Sequence, residues 1–125
     1  MINKHVLLVD DDEDLLTLLQ WVLKTKSYEV STAEDGLVAL DRLAQFTPDL
    51  ILLDLMMPRM DGYAFMAELQ RRGLRPDIPV VILSADINAR DQVKHMGIES
   101  FLSKPYDLPV LLATVARLVP LSPLS

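Results

Sequence analysis

The sequence predicts an α/β domain in which a parallel sheet is covered by helices on both faces. Short apolar runs typical of strands alternate with longer segments of helical period, and this β-α unit recurs five times. Such alternation is typical of parallel sheets with crossover helices. The 125 residues fit one domain of common size, and half of them are hydrophobic, which is enough for a buried core.

Five runs have the composition of strands. Residues 6–9, 50–53 and 80–83 are continuously apolar, as expected for strands that are covered on both faces. Residues 28–32 alternate apolar and polar side chains, which indicates a half-exposed strand. Residues 100–102 predict a short last strand.

Helical period follows each of these runs. Apolar residues recur three or four positions apart in the segments 15–23, 37–44, 65–69 and 108–119. The segment 88–96 predicts a weaker helix, because its apolar anchors are limited to three residues: Ala89, Val93 and Met96. We place the domain at residues 3–120 and interpret residues 121–125 as a short tail or the start of a linker.

Composition and charge exclude several classes of function. The formal net charge is −6, which argues against direct nucleic-acid binding, and we interpret the basic cluster of Arg71, Arg72 and Arg75 as a solvated helix end. The sequence has no Cys, which excludes disulfides and thiolate sites. Residues 1–5 lack the long apolar run that is typical of a signal peptide, and no apolar run approaches the ~20 residues that span a bilayer, so we expect a cytoplasmic protein without membrane contact.

Polar residues follow the predicted strands at the ends where parallel sheets bind ligands. Asp10 and Asp11 follow the first strand and Asp54 follows the third. Ser84 ends the fourth strand and Lys104 follows the fifth. Because the carboxyl ends of parallel strands meet at one edge of the sheet, we expect these side chains to converge there.

Three carboxylates at one edge would repel one another strongly. Two of them ~4 Å apart cost roughly 4 kcal/mol at an effective dielectric near 20, so either one binds a proton or a cation neutralises them. Oxygen ligands favour a hard cation such as Mg²⁺. The neighbouring Asp12 and Asp14 are explained equally well as acids that stabilise a helix N-terminus.

The same edge has the groups that phosphoryl transfer requires. Lys104 lies where its ammonium group can reach the acidic cluster and neutralise an anion. The Ser84 hydroxyl can donate to an anionic oxygen, although a capping role would explain that residue on its own. With a cation beside it, Asp54 could act as a nucleophile and form an acyl phosphate.

Five motifs, in this order, make a specific match to a known family. They are Val9-Asp10-Asp11-Asp12, Leu53-Asp54-Leu55-Met56-Met57-Pro58, Met60-Asp61-Gly62, Leu83-Ser84-Ala85 and Lys104-Pro105. With these motifs the chain resembles the receiver domains of bacterial two-component response regulators from about Lys4 to Leu118. The resemblance implies a flavodoxin-like, doubly wound fold with strand order 2-1-3-4-5.

The resemblance also implies roles for the residues at the sheet edge. Asp54 would be the phosphoacceptor, and Mg²⁺, for which Mn²⁺ could substitute, would be bound by Asp10, Asp11, Asp54 and the main-chain carbonyl of Met56. Ser84 and Lys104 would hold the phosphoryl oxygens.

Further family positions concern switching and phosphate lifetime. Phe101 matches the aromatic residue whose burial changes on phosphorylation, and the Lys104–Pro105 bond is expected to be cis. Met56 and Asp86 occupy positions thought to tune lifetime. Because Met56 orients water poorly, we expect slow loss of the phosphoryl group.

By resemblance, the chain is a phosphorylation switch and does not turn over an external substrate, although it assists its own phosphorylation and dephosphorylation. A sensor histidine kinase or a His phosphotransfer protein would supply the phosphoryl group. The face formed by the fourth helix, last strand and last helix would then control a downstream protein or allow a phosphorylation-dependent dimer. The last helix lacks an Arg-rich end, which favours a stand-alone protein over a fragment of a DNA-binding regulator.

Three other functions compete with this one. A flavin-binding flavodoxin would need a Ser/Thr/Gly-rich phosphate loop where residues 10–14 are acidic. An aspartyl-phosphate hydrolase would need a general acid/base where Met56 stands. A pseudo-receiver, acting as a docking module without phosphorylation, should have lost some site residues, and the sequence retains all of them.

Overall fold

The fold is a single parallel sheet with helices on both faces, described by a computed structural model for residues 4–74, 78–86 and 88–121. The sheet order is β2-β1-β3-β4-β5, which confirms the predicted architecture and strand order. The strands are β1 (His5–Val9), β2 (Glu29–Ala33), β3 (Leu50–Asp54), β4 (Val80–Ser84) and β5 (Ser100–Ser103). The helices are α1 (Glu13–Thr25), α2 (Gly36–Leu43), α3 (Gly62–Arg71), α4 (Ala89–Val93) and α5 (Leu108–Leu118).

The core consists of two layers, because alternate residues of each central strand point to opposite faces. On one face, strand residues such as Leu7 and Leu53 pack with Phe65 and other residues of α2, α3 and α4. On the other face, residues such as Leu8 and Leu52 pack with α1 and α5. Burial on both faces explains why these strands are continuously apolar.

The fourth helix is short, as the weak apolar pattern predicts. The α-helix α4 covers only Ala89–Val93, and a 3₁₀ turn at Lys94–Met96 completes the segment. Gly97 ends it in the left-handed conformation, with φ 70°. Ala89 and Val93 are buried against the sheet, whereas the side chain of Asn88, at the N-cap, makes no capping hydrogen bond among the described residues. A helix with so few anchors is free to shift at small cost.

The basic cluster belongs to the end of α3, where Arg71 and Arg72 both pair with Glu68 on the same helix. Arg75 lies outside the described residues, as do residues 122–125 of the predicted tail. Within the described parts of the chain, no helix is both long enough and apolar enough to cross a bilayer.

Candidate functional site

Three acidic side chains meet at the carboxyl ends of the neighbouring strands β1 and β3, where the strand order of the sheet reverses. Val9 of β1 pairs with Leu53 of β3, so the residues that follow, Asp10 and Asp54, lie side by side. Their exposed fractions are 3% and 5%. Ligand oxygens of Asp10, Asp11 and Asp54 lie within 4.8 Å of one another, which brings together the acids predicted from sequence.

The turn after β1 fixes the orientation of Asp10. The Asp12 N–H donates to Asp10 Oδ1 at 3.0 Å, and the Asp10 N–H donates to the Ala33 carbonyl at 3.0 Å. Asp12 also caps α1 by accepting from the Leu15 N–H at 3.2 Å, and Asp14 lies in the first turn. Asp12 and Asp14 therefore lie at the N-terminus of α1, as expected for acids that stabilise a helix start.

Lys104 reaches into the acidic cluster from β5. Its Nζ lies 2.7 Å from Asp10 Oδ2 and 3.6 Å from Asp54 Oδ1. The main-chain N–H of Lys104 donates to the Ser84 carbonyl at 2.7 Å, and the Lys104–Pro105 peptide bond is cis. Burial alone would lower the pKa of Lys104, but the two carboxylates outweigh it, so the pKa is raised and the ammonium group stays charged.

The Asp54 carboxyl holds its proton more tightly than an ordinary Asp. Burial is the main cause, and the charge of Asp10 adds to it, so the pKa rises to about 6. Lys104 and the nearby main-chain N–H of Met56 offset part of this rise in the pKa. A bound divalent cation would favour the charged carboxylate, and the all-oxygen donor set fits a hard cation such as Mg²⁺.

Replacing Asp54 with Asn is expected to stabilise the metal-free protein at neutral pH. The raised pKa means that the ionised carboxyl opposes folding: the cost is absent below about pH 4, the unfolded value, grows as pH rises toward about 6 and is fully present above it. Asp54→Asn should therefore gain at most about 3 kcal/mol at pH 7.5 in EDTA, and the gain should disappear near pH 4. Urea unfolding across this pH range measures it.

The matched control for this experiment is Asp61→Asn. Asp61 caps α3 by accepting from the Ala64 N–H at 2.9 Å, and Asn caps equally well. This variant should show no pH-dependent gain. A gain for Asp54→Asn that stays constant from pH 4 to pH 7.5 would contradict the assigned electrostatic origin.

The other predicted site residues surround the acids without all touching them. Ser84 is fully buried at the end of β4, and its Oγ accepts from the Asp86 N–H at 3.1 Å. The Asp86 carboxylate accepts from the Asn88 N–H at 2.9 Å, so it closes the turn before α4. The Met56 side chain is 66% exposed. Phe101 is partly buried in β5, and the Arg90 guanidinium lies 5.2 Å from its ring centroid.

Two features near the site escaped the sequence analysis. Asp35, 1% exposed, forms an ion pair with Arg59, which lies 24 residues away in the loop after β3. The Asp-Gly pair after β2 indicates a helix start, but no sequence pattern joins it to Arg59. The Tyr106 hydroxyl is buried and has no hydrogen-bond partner among the described residues, and burial, with help from Asp10 and Asp12, raises its pKa to about 12.

Comparison with known families identifies the family to which the chain belongs. The model of the response regulator receiver domain matches residues 6–116, which include all the motifs at the sheet edge. The chain belongs to the response regulator receiver domain family. Receiver domains bind Mg²⁺ at an acidic pocket, and this receiver domain carries the corresponding cluster of Asp residues. They act as signalling proteins that interact with histidine kinases and downstream effectors.

Relatives and solved structures agree with this assignment. The transcriptional regulatory protein PrrA of Mycobacterium leprae is 40% identical over 119 residues, which cover 94% of this chain and 50% of that protein. The response regulator TrrA of Thermotoga maritima, in complex with Mg(2+)-BeF, has a TM-score of 0.82 at 28% identity, covering 93% of this receiver domain and 99% of TrrA.

The chemotaxis protein CheY4 of Vibrio cholerae has a TM-score of 0.85 at 28% identity, covering 94% of this receiver domain and 100% of CheY4. The receiver domain spans about half the length of the first curated relatives that it matches.

Proposed function

We propose that this receiver domain accepts a phosphoryl group on Asp54 in a Mg²⁺-dependent reaction and thereby changes its affinity for a partner protein. The observation that carries the proposal is the convergence of the Asp10, Asp11 and Asp54 oxygens within 4.8 Å, with Lys104 beside them. Paired buried acids without a bound cation are costly, which favours a site built for function.

The chain's own residues account for each part of the transfer. An Asp54 carboxylate oxygen forms a bond to phosphorus while the bond from phosphorus to the donor nitrogen breaks, which leaves an acyl phosphate. The Lys104 ammonium and the Ser84 hydroxyl are the donors for the phosphoryl oxygens. Asp10, Asp11, Asp54 and the Met56 carbonyl would hold Mg²⁺, which, when bound, neutralises charge on the transferring oxygens.

The switch then follows from a shift of population between two arrangements. Ser84 would move toward the phosphoryl group, and Phe101 would occupy the space that it leaves. Arg90, stacked on the Phe101 ring, would move with it, and so would the weakly anchored α4. The surface formed by α4, β5 and α5 would present the result to a downstream protein or to a second copy of the chain.

The phosphoryl donor would be a sensor histidine kinase or a His phosphotransfer protein, as in the family. Met56 is exposed and has no side-chain group that orients water, and Asp86 is engaged in the turn before α4. We therefore infer slow hydrolysis of the acyl phosphate. A lifetime of seconds in the absence of a phosphatase would contradict this inference.

Incubation with acetyl phosphate and Mg²⁺ tests the phosphorylation directly. The wild-type protein should give a shifted band on a phosphate-affinity gel, and EDTA or Asp54→Asn should abolish the shift. Asp61→Asn, a nearby acid that only caps α3, should behave as wild type. An unshifted wild-type protein that still binds its partner would favour the pseudo-receiver alternative.

A further inference from the structure

An ion pair between the buried Asp35 and Arg59, whose side chain is 56% exposed, ties the loop after β2 to the loop after β3. The Arg59 Nε donates to Asp35 Oδ2 at 2.6 Å, and a second guanidinium nitrogen contacts the same oxygen. Asp35 is 1% exposed and also caps α2 by accepting from the Val38 N–H at 3.0 Å. The donors outweigh burial and hold the pKa of Asp35 below its usual range, so the pair is charged.

The backbone of both loops is shaped around this pair. Arg59 has φ 62°, a left-handed conformation that is uncommon for a residue with a side chain. The Gly36 N–H donates to the Met60 carbonyl at 3.1 Å. A Cβ on Gly36 would lie 2.9 Å from that carbonyl oxygen, so the two loops could not approach so closely with any other residue there.

The loop held in this way is the one that leaves the phosphoacceptor. It runs from Asp54 to Asp61, and its far end is closed by the Gly62 N–H, which donates to the Leu55 carbonyl at 2.9 Å. At its near end, the main-chain N–H of Met56 lies close enough to the Asp54 carboxylate to lower the pKa of that acid. The pair therefore fixes the middle of a loop whose first residues border the acidic cluster.

We propose that Asp35 and Arg59 are positioning residues that hold the loop after β3 in the shape required for divalent-cation binding. The inference rests on the proposed function, because it assigns the Met56 carbonyl to the cation site. Neither Asp35 nor Arg59 belongs to the cluster of acids at the sheet edge, so both would act on the cation site through the shape of the loop. Partners of this kind commonly change metal affinity by tenfold or more when they are removed.

Two single substitutions isolate the pair with little other damage. Asp35→Asn keeps a capping side chain for α2, and Arg59→Asn keeps a residue that tolerates the left-handed conformation. We expect each substitution to weaken Mg²⁺ binding by about tenfold. The affinity is measured by NMR titration of the backbone amides in the unphosphorylated protein. The double variant should be no weaker than either single one, because one interaction is lost in all three.

The signs of the two effects separate positioning from simple electrostatics. A change of net charge alone would make Arg59→Asn bind Mg²⁺ more tightly and Asp35→Asn more weakly, whereas loss of loop shape weakens both. Arg59→Lys restores the charge and one donor, so it should recover part of the affinity. Glu68→Gln, which breaks the exposed pairs with Arg71 and Arg72, is the matched control and should bind as wild type.

The experiment also separates this inference from the function on which it rests. If the wild-type protein binds Mg²⁺ and both variants bind it equally well, the positioning role is wrong and the phosphorylation proposal stands. Opposite shifts for the two variants would also overturn it. If the wild-type protein binds no Mg²⁺, the proposed function itself fails. A lower melting temperature with unchanged Mg²⁺ affinity would assign the pair to stability alone and likewise overturn the inference.

Discussion

Lys104→Met is expected to destabilise the metal-free protein by about 3 kcal/mol at neutral pH. The ammonium group is the cation that contacts both buried carboxylates, at 2.7 Å from Asp10 and 3.6 Å from Asp54. Methionine keeps most of the volume of the side chain but leaves the two acids unpaired. Removing one partner of a buried charged pair costs far more than removing an exposed one.

The loss should depend on pH and on Mg²⁺ in a defined direction. Without Lys104, the already raised pKa of Asp54 rises further, so the destabilisation is present at neutral pH and shrinks as Asp54 takes up a proton toward pH 4. Mg²⁺ should restore part of the stability, because it replaces the missing positive charge. Urea unfolding at pH 7 and pH 4, in EDTA and in Mg²⁺, measures both effects.

Lys94→Met is the matched control for this experiment. Lys94 pairs with Asp91 at 3.9 Å on the surface, and its side chain is 62% exposed. Its replacement should leave stability nearly unchanged under all four conditions. If Lys104→Met loses the same stability at both pH values, with and without Mg²⁺, the loss comes from packing and the electrostatic account is wrong.

The sequence predicts the fold well because patterns along the chain decide most of it. Continuous apolar runs require burial on both faces, and the alternation with helices leaves a parallel sheet as the consistent arrangement. The weak apolar pattern of residues 88–96 likewise corresponds to the short α4 and its 3₁₀ turn. The strand order came from the family resemblance, since periodicity does not determine which strands are neighbours.

The site was predictable to the extent that its residues follow strands. Asp10, Asp54 and Lys104 converge because parallel strands end at one edge, a rule that needs only the strand positions. The Asp35–Arg59 pair could not be found in this way. It depends on two loops meeting in space, and a surface arginine in a loop carries no pattern that marks it as the partner of a buried acid.

Gly62→Ala is expected to lower stability by about 2–3 kcal/mol and, on the proposed function, to slow phosphorylation of Asp54. A Cβ on Gly62 would lie 2.7 Å from the Asp54 carbonyl oxygen and 2.7 Å from Leu55 Cα. Both neighbours are backbone atoms of the segment that holds Asp54, so they cannot move aside as a flexible side chain does. The added methyl group must displace the main chain at Asp54 or shift the start of α3.

Gly73→Ala separates this effect from a general cost of replacing glycine. Gly73 has φ 71°, and a Cβ there would meet no atom of the described residues within 4 Å, so its replacement costs about 1 kcal/mol of backbone strain at the far end of α3. On the proposed function, Gly73→Ala should accept phosphate from acetyl phosphate at the wild-type rate. Rates are compared per folded molecule, with the folded fraction measured by circular dichroism in the same samples.

If Gly62→Ala reacts as fast as Gly73→Ala, the close approach of α3 does not govern the position of Asp54. A slower rate in Gly62→Ala alone would tie the acid's reactivity to a glycine eight residues further along the chain, because the start of α3 packs directly on the backbone of Asp54.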